Sequence, residues 1–345
     1  MENGNWRGSA MGARLVALGA LLALLGGAAA PAQAQTWVPV RSGLGWASGA
    51  NGGNGGMADL QTMRGRLLDM RTYFTGIATW SGLIWSVPGV KNHLVDGARV
   101  AVAIGMLPET HRGQHMACWQ GRFANEIRAV GTALINAGAS NAIIRLGWEA
   151  NRVNGYPWAV TGDASAYKGC FRKWIKILRT LPGQRFVFDW TMQDKSTYPI
   201  DQMYPGDEWV DIIGVNVYDR CSPVRTDDQW NAWYNLKDKD GRNPRGLGTW
   251  LAFARQHGKK LSIPEWGIGG PSPVKNCTEP GIDNPFWMRK MFEFFRTNAA
   301  NIAYEAYFNG HGDGRTTAAA GSHKLAPTYH NPLSAAVYKE LWGLP

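Results

Sequence analysis

Eight short apolar runs, amphipathic stretches between them, and no linker or low-complexity block beyond residue 34 predict an α/β fold. The number eight favours closure into a single-domain (β/α)8 TIM barrel. The strands are expected at Gly45–Gly49, Leu68–Tyr73, Arg99–Gly105, Ala142–Leu146, Arg185–Trp190, Asp211–Val217, Leu261–Pro264 and Ile302–Tyr307. The later runs, such as residues 100–104 (VAVAI) and 212–217 (IIGVNV), are almost continuously apolar. That composition suits parallel strands covered on both faces. The first two runs carry the weakest pattern.

The helices follow from spacing. Between Trp119 and Ala137, apolar residues recur at Phe123, Ile127, Val130 and Leu134, and Gly138 is placed to cap the end. Ala164–Leu181 carries Phe171, Trp174, Ile175 and Leu178 on one stripe and stops before Pro182. Leu247–Gln256 precedes Gly258, and Phe286–Thr297 carries Met288, Met291, Phe292 and Phe295. Residues 35–345 are therefore expected to form one barrel domain.

Residues 1–34 read as a secretory signal. Arg7 and Arg14 give a basic start, Leu15–Leu25 a short apolar run, and Ala32-Gln33-Ala34 a small-x-small cleavage site. The apolar run is short for a bilayer span, and nothing later resembles one. The expected location is secreted or periplasmic, with no stable membrane insertion after signal cleavage. A monomer is expected.

The chain has 345 residues and a formal charge of +10; without residues 1–34 it carries 34 basic and 25 acidic residues, or +9. The basic residues are scattered, with no stripe or motif for nucleic acid. Solubility and attraction to an anionic surface or an acidic polysaccharide are the readings that remain. Gly (43) and Trp (17) are abundant, which suits tight loops and stacking on sugar rings. The four cysteines are even in number in an exported chain and lack the close spacing of a zinc site, so disulfides are expected and a metal is not. Of three possible pairings, the element positions favour Cys118–Cys170, both near helix starts, and Cys221–Cys277, both in loops after strands.

In a barrel of this kind, chemistry gathers at the C-terminal ends of the strands. Two carboxylates stand there beside tryptophans: Glu149 after strand four, next to Trp148, and Glu265 after strand seven, next to Trp266. Acidic residues are poor strand formers and costly to bury, so a matched pair at strand ends points to a site. A salt-bridge role is the plain alternative for either one alone. Asp189 is a spare carboxylate beside Trp190, and Asp219 follows Tyr218. His111, His115 and His323 fall in loops and are expected at the surface.

Three segments carry a resemblance. Residues 145–149 (RLGWE), 204–218 (YPGDEWVDIIGVNVY) and 263–267 (IPEWG) resemble the large clan of retaining glycoside hydrolases, and within it glycoside hydrolase family 26, whose members include β-mannanases. The resemblance covers most of residues 42–343. It implies a cofactor-free double displacement, with Glu265 as nucleophile and Glu149 as acid/base, their carboxyl groups about 5–5.5 Å apart. Under it, Tyr218 and Arg145 would favour the ionised form of Glu265. Trp148, Trp190 and Trp266 would line sugar subsites at strand ends, with Asn151, Asn216 and Tyr307 as further substrate contacts. The chain departs from the clan at Trp148, where Asn or His usually stands, and at Tyr307-Phe308, where many members have Trp. Those departures leave the sugar open among mannan, β-xylan, β-glucan and a bacterial exopolysaccharide.

The expected function is a retaining endo-β-glycanase whose partner is a polysaccharide or oligosaccharide. A carbohydrate-binding protein on a barrel scaffold would keep the aromatics without needing both carboxylates. A transglycosylase would use the same residues with a sugar as acceptor.

Overall fold

A computed structural model describes residues 1, 37–153, 155–194, 198–219, 223–269, 282–310, 323–326 and 331–344. The expected signal sequence and the pair Cys221 and Cys277 lie outside the described residues. The chain divides into a unit Met1–Gln35 and a unit Thr36–Pro345, and the second unit holds every strand and helix described.

Eight parallel strands close on themselves in sequence order. They are β1 (Ser48–Asn51), β2 (Met70–Phe74), β3 (Arg99–Ile104), β4 (Ile143–Leu146), β5 (Val187–Gln193), β6 (Ile212–Asp219), β7 (Lys260–Ile268) and β8 (Ile302–Phe308). Closure comes where Ser48 lies beside Glu305 and Asn51 beside Phe308. The helices are α1 (Gly53–Arg64), α2 (Trp80–Ser86), α3 (His115–Trp119), α4 (Ala124–Asn136), α5 (Ser165–Leu178), α6 (Ile200–Met203), α7 (Asp227–Tyr234), α8 (Leu247–Gln256), α9 (Pro285–Thr297) and α10 (Pro332–Trp342). Among the described residues, no helix is long and apolar enough to cross a membrane.

Several elements differ from expectation for physical reasons. β1 starts three residues later than Gly45. Its sequence, SGAN, has no β-branched residue, and its place is fixed by a neighbour: the Asp69 carboxylate, just before β2, accepts from the backbone N–H of Ser42 at 2.8 Å and of Ser48 at 2.9 Å. The helix expected from Trp119 begins only at Ala124, as α4, because α3 ends at Trp119. Gly121 sits between them at φ +93°, which no helix tolerates. α9 begins where capping chemistry puts it, with the Asn284 side chain accepting from Trp287 N–H at 3.2 Å and Pro285 in the first turn.

β7 is the most consequential difference. The sequence pattern ends it at Pro264, yet it runs on to Ile268. Proline has no N–H to give to a ladder, and the pairing register of β7 slips on both sides near it, between Gly214 and Val217 of β6 and between Glu305 and Tyr307 of β8. A one-residue slip exchanges the two faces of a strand. Ser262 points into the barrel, where its hydroxyl donates to Asp189, and so does Glu265, three residues on. Strict alternation would have sent them to opposite faces.

The core is double. Inside the barrel, Val38, Met70, Ala101, Ile143, Val187, Ile212 and Tyr304 close its lower end. Outside it, the helices pack large aromatics against the strands; Trp174, Trp190, Trp250, Trp266, Trp287 and Trp342 are all fully buried.

Candidate active site

The upper interior of the barrel is polar. Arg145 rises from β4 and is wholly buried, with its Nη2 donating to Glu265 Oε1 at 2.6 Å and to Asn216 Oδ1 at 3.2 Å. Burial works against its charge, but Glu265, Tyr304 and Asp189 together outweigh that, so the guanidinium pKa stands above its ordinary value. Asn216, from β6, donates through one nitrogen to Glu149 Oε1 at 2.8 Å and to Glu265 Oε1 at 3.0 Å. A single amide touching both carboxylates puts those oxygens within about 6 Å of each other, the range of a double-displacement pair. Tyr218, two residues along β6, donates its hydroxyl to Glu265 Oε2 at 3.2 Å.

One layer lower sits Asp189. It is fully buried and accepts from Thr191 at 2.8 Å, from Ser262 at 2.7 Å and from Tyr304 at 2.7 Å. Burial raises its pKa, with those hydroxyls and Arg145 pulling the other way. The carboxylate that the sequence holds in reserve is thus a floor beneath the pair and does not open on the mouth.

Glu149 stands where β4 ends in a tight turn. Its φ is +53°, in the left-handed region. A side chain there costs about 1–3 kcal/mol and persists only where the surroundings over-determine it. Here they do. Its N–H donates to Thr191 O at 2.9 Å, its carbonyl accepts from Arg152 N–H at 2.9 Å, and the carbonyl before it, that of Trp148, accepts from Trp158 Nε1 at 2.8 Å. Arg152, half exposed, brings a guanidinium nitrogen to 3.8 Å from Glu149 Oε2. Trp148 packs against Phe74, Tyr156 and Trp158 at ring-centroid distances of 5.4, 5.0 and 4.6 Å.

The structure therefore brings together Glu149, Glu265, Arg145, Asn216 and Tyr218, with Trp148 alongside. It does not bring the others to the mouth. Trp190 is wholly buried on the outer face of β5, against Tyr204, Trp250 and Phe253, with its N–H donating to Tyr167 at 3.0 Å. Trp266 is likewise wholly buried on the outside of β7, and its N–H donates to Glu305 at 2.6 Å. Each lies one position from an inward residue, Asp189 or Glu265, so alternation turns it outward. Tyr307 also faces outward, packing on Trp266 at 4.9 Å, with its hydroxyl donating to His323 O at 2.7 Å. Asn151 clamps the backbone of Gln193 through bonds of 2.8 and 2.9 Å, tying the loop after β4 to β5. Asp219 pins the loop beyond β6 by accepting from Val224 N–H at 2.9 Å and Asn284 at 2.7 Å.

Two histidines expected at the surface are buried. His323 packs beside Tyr218 at 4.7 Å and donates from Nδ1 to Ile268 O. His115 reaches Trp158 O at 3.1 Å, and burial lowers its pKa. Sequence reasoning missed Phe74, Tyr156 and Trp158. The aromatic run 156–158 (YPW) so soon after Glu149 was the available signal. Cys118 and Cys170 form the disulfide expected from the sequence, joining α3 to α5 with Cα atoms 5.1 Å apart.

Comparison with known proteins adds a family. Residues 134–238 match Glycosyl hydrolase family 26. That span contains Arg145, Glu149, Asn216 and Tyr218 and ends before Glu265. The resemblance seen in the three segments is thus recovered over β4 to β6. A mannan endo-1,4-β-mannosidase of Bifidobacterium adolescentis is 28% identical over 248 residues, which is 66% of this chain and 22% of that protein. The chain thus aligns with under a quarter of its relative's length. Among solved structures, a Cellulomonas fimi endo-β-1,4-mannanase double mutant superposes with a TM-score of 0.62 at 17% identity, over 87% of this chain and 71% of that one. A family 26 β-mannanase of Bacteroides ovatus gives 0.59 at 13% identity, over 87% and 88%. At such identities the superpositions speak for the barrel alone.

Proposed function

We propose that the protein is a retaining endo-β-glycanase, with Glu265 as nucleophile and Glu149 as acid/base. The observation that carries this reading is the Asn216 amide donating to both carboxylates, since double displacement needs two carboxyl groups this close. Glu265 suits attack at an anomeric carbon. Its two oxygens are held in place by hydrogen bonds from Arg145, Asn216 and Tyr218. Glu149 faces the half-exposed Arg152 guanidinium at 3.8 Å and receives the Asn216 amide at 2.8 Å. In the first step Glu265 bonds to the anomeric carbon, the glycosidic C–O bond breaks, and Glu149 gives its proton to the departing oxygen. In the second, Glu149 takes a proton from water as the water oxygen displaces Glu265. A sugar hydroxyl in place of that water would give transglycosylation.

β-1,4-Mannan is the first substrate to test, because the relatives named above act on it. The charge of +10 and Trp148 beside the acid/base keep acidic exopolysaccharides, β-xylan and β-glucan in the panel. Export under the direction of residues 1–34 would bring the enzyme to such polymers. Reducing-end release from neutral and acidic polysaccharides tests the reading, run beside Glu149→Gln and Glu265→Gln. The expected result is turnover of one polymer, lowered about 10²–10⁴-fold by loss of the acid/base and at least as far by loss of the nucleophile. Oligosaccharide binding with no turnover of any polymer would favour a binding protein instead.

A further inference from the structure

We infer that Trp158 is the positioning residue for Glu149: it sets the acid/base carboxylate by holding the peptide plane immediately before it, without itself meeting the sugar. This rests on the assignment of Glu149 proposed above. Trp158 is fully buried. Its indole N–H donates at 2.8 Å to the carbonyl of Trp148, the oxygen of the peptide bond that joins Trp148 to Glu149. That plane's orientation is one half of the Glu149 φ angle, and Glu149 is one of two non-glycine residues described at positive φ. Rotation of the plane toward an ordinary φ would break the bond to Trp158.

The indole has a purpose-built seat. A Cβ at Gly105 would lie 2.8 Å from the Trp158 ring, and one at Gly147 would lie 3.3 Å from it. Both glycines sit at the upper ends of β3 and β4, so the ring can slide in against the barrel only because two side chains are missing. On its open face, Tyr156 stacks at 4.8 Å with planes 2° apart. Behind it, the Trp158 carbonyl receives the Nε2 proton of His115 at 3.1 Å. A carbonyl only accepts, which fixes the proton on that nitrogen. His115 opens α3, and α3 is fastened to α5 by Cys118–Cys170. A continuous run of bonds thus leads from the loop after β3, through His115 and Trp158, to the peptide that aims Glu149.

Trp158→Phe keeps the ring and removes the N–H, which makes it the test. An acid catalyst matters when the leaving group is a sugar and is dispensable when it is a good aryl leaving group. On soluble β-1,4-mannan, kcat/KM should fall about 100-fold, as expected for a catalytic group displaced by roughly 1 Å. On 2,4-dinitrophenyl β-mannobioside, kcat/KM should stay within about threefold. A merely structural role would lower both alike, by the fraction of protein lost, and either a parallel fall or no fall would overturn the inference. Glu149→Gln, assayed beside it, separates the two layers. If Glu149→Gln is inactive on the polysaccharide and Trp158→Phe matches the parent there, only this inference fails. If Glu149→Gln retains full activity on the polysaccharide, or the parent cleaves no polymer of the panel, the acid/base assignment itself fails. A crystal structure of Trp158→Phe needs no substrate: Glu149 should leave positive φ or lose its bond to Asn216, and an unmoved Glu149 would contradict the account.

Discussion

The Trp–Glu neighbours Trp148-Glu149, after β4, and Glu265-Trp266, in β7, look alike in sequence and behave differently in the fold. At β4 the strand ends, Gly147 turns the chain at φ +56°, and both Trp148 and Glu149 remain at the barrel's upper end. At β7 the strand continues, so the neighbours point apart: Glu265 inward to Arg145, Trp266 outward to Glu305. A tryptophan beside a carboxylate of the candidate site belongs to that site only where the strand has stopped. Within a strand it belongs to the helix layer behind.

The largest expected effect that sharpens the comparison comes from Arg145→Met. It would leave Glu265 buried beside an apolar chain. Removing one partner of a buried ion pair costs about 3–5 kcal/mol, so the melting temperature should fall. Loss of a buried donor to Glu265, the proposed nucleophile, should lower kcat about 10²–10³-fold. Thermal unfolding and steady-state kinetics read both; a fully active variant would remove Arg145 from the account of the site.

Next come the tryptophans themselves. Trp266→Phe removes an N–H from the buried Glu305 and should cost about 1–3 kcal/mol of stability, with kcat/KM per folded molecule unchanged. Trp148→Phe should change kcat/KM about two- to tenfold through altered aromatic contact at the mouth. Reversal of these two patterns, seen by denaturant unfolding beside kinetics, would break the comparison.

The smallest effect concerns pH. Glu305 is buried behind the strands, where it accepts indole N–H bonds from Trp46, Trp266 and Trp342. Burial raises its pKa above the ordinary 4.5, against the pull of Ser48, Trp266, Arg64 and Trp342. In the window between 4.5 and the raised value, the folded chain binds more protons than the unfolded one at this group. Its contribution to stability is therefore full below 4.5 and declines as pH rises through that window. Glu305→Gln lacks this proton, so its stability relative to the parent should rise with pH across the same window. A difference independent of pH would count against a raised Glu305.

Much of this is legible in the residues. Glu149, Glu265, Tyr218, Asn216 and Arg145 follow from asking which polar residues stand at the ends of apolar runs, and the structure gathers all five. The apolar pattern misplaces β1 by three residues because SGAN carries no strand signal of its own and is held by Asp69 from the next element. It puts Trp190, Trp266 and Tyr307 at the mouth because it ends β5, β7 and β8 early, at or before those residues, which hides their outward faces. Pro264 causes the error at β7: it reads as a stop, yet the ladder absorbs it by slipping. Asn151 and Trp158 lie in the loop after β4, whose bonds to Gln193 and His115 span 42 and 43 residues. No local pattern encodes such bonds.

The central claim is that Glu149 and Glu265 act as a close, double-displacement pair. Time-resolved proton NMR of the first products from a cleaved β-glycan tests it most directly. The account predicts that the β-anomer appears first, followed by slow mutarotation. Initial release of the α-anomer would mean single displacement and would contradict it.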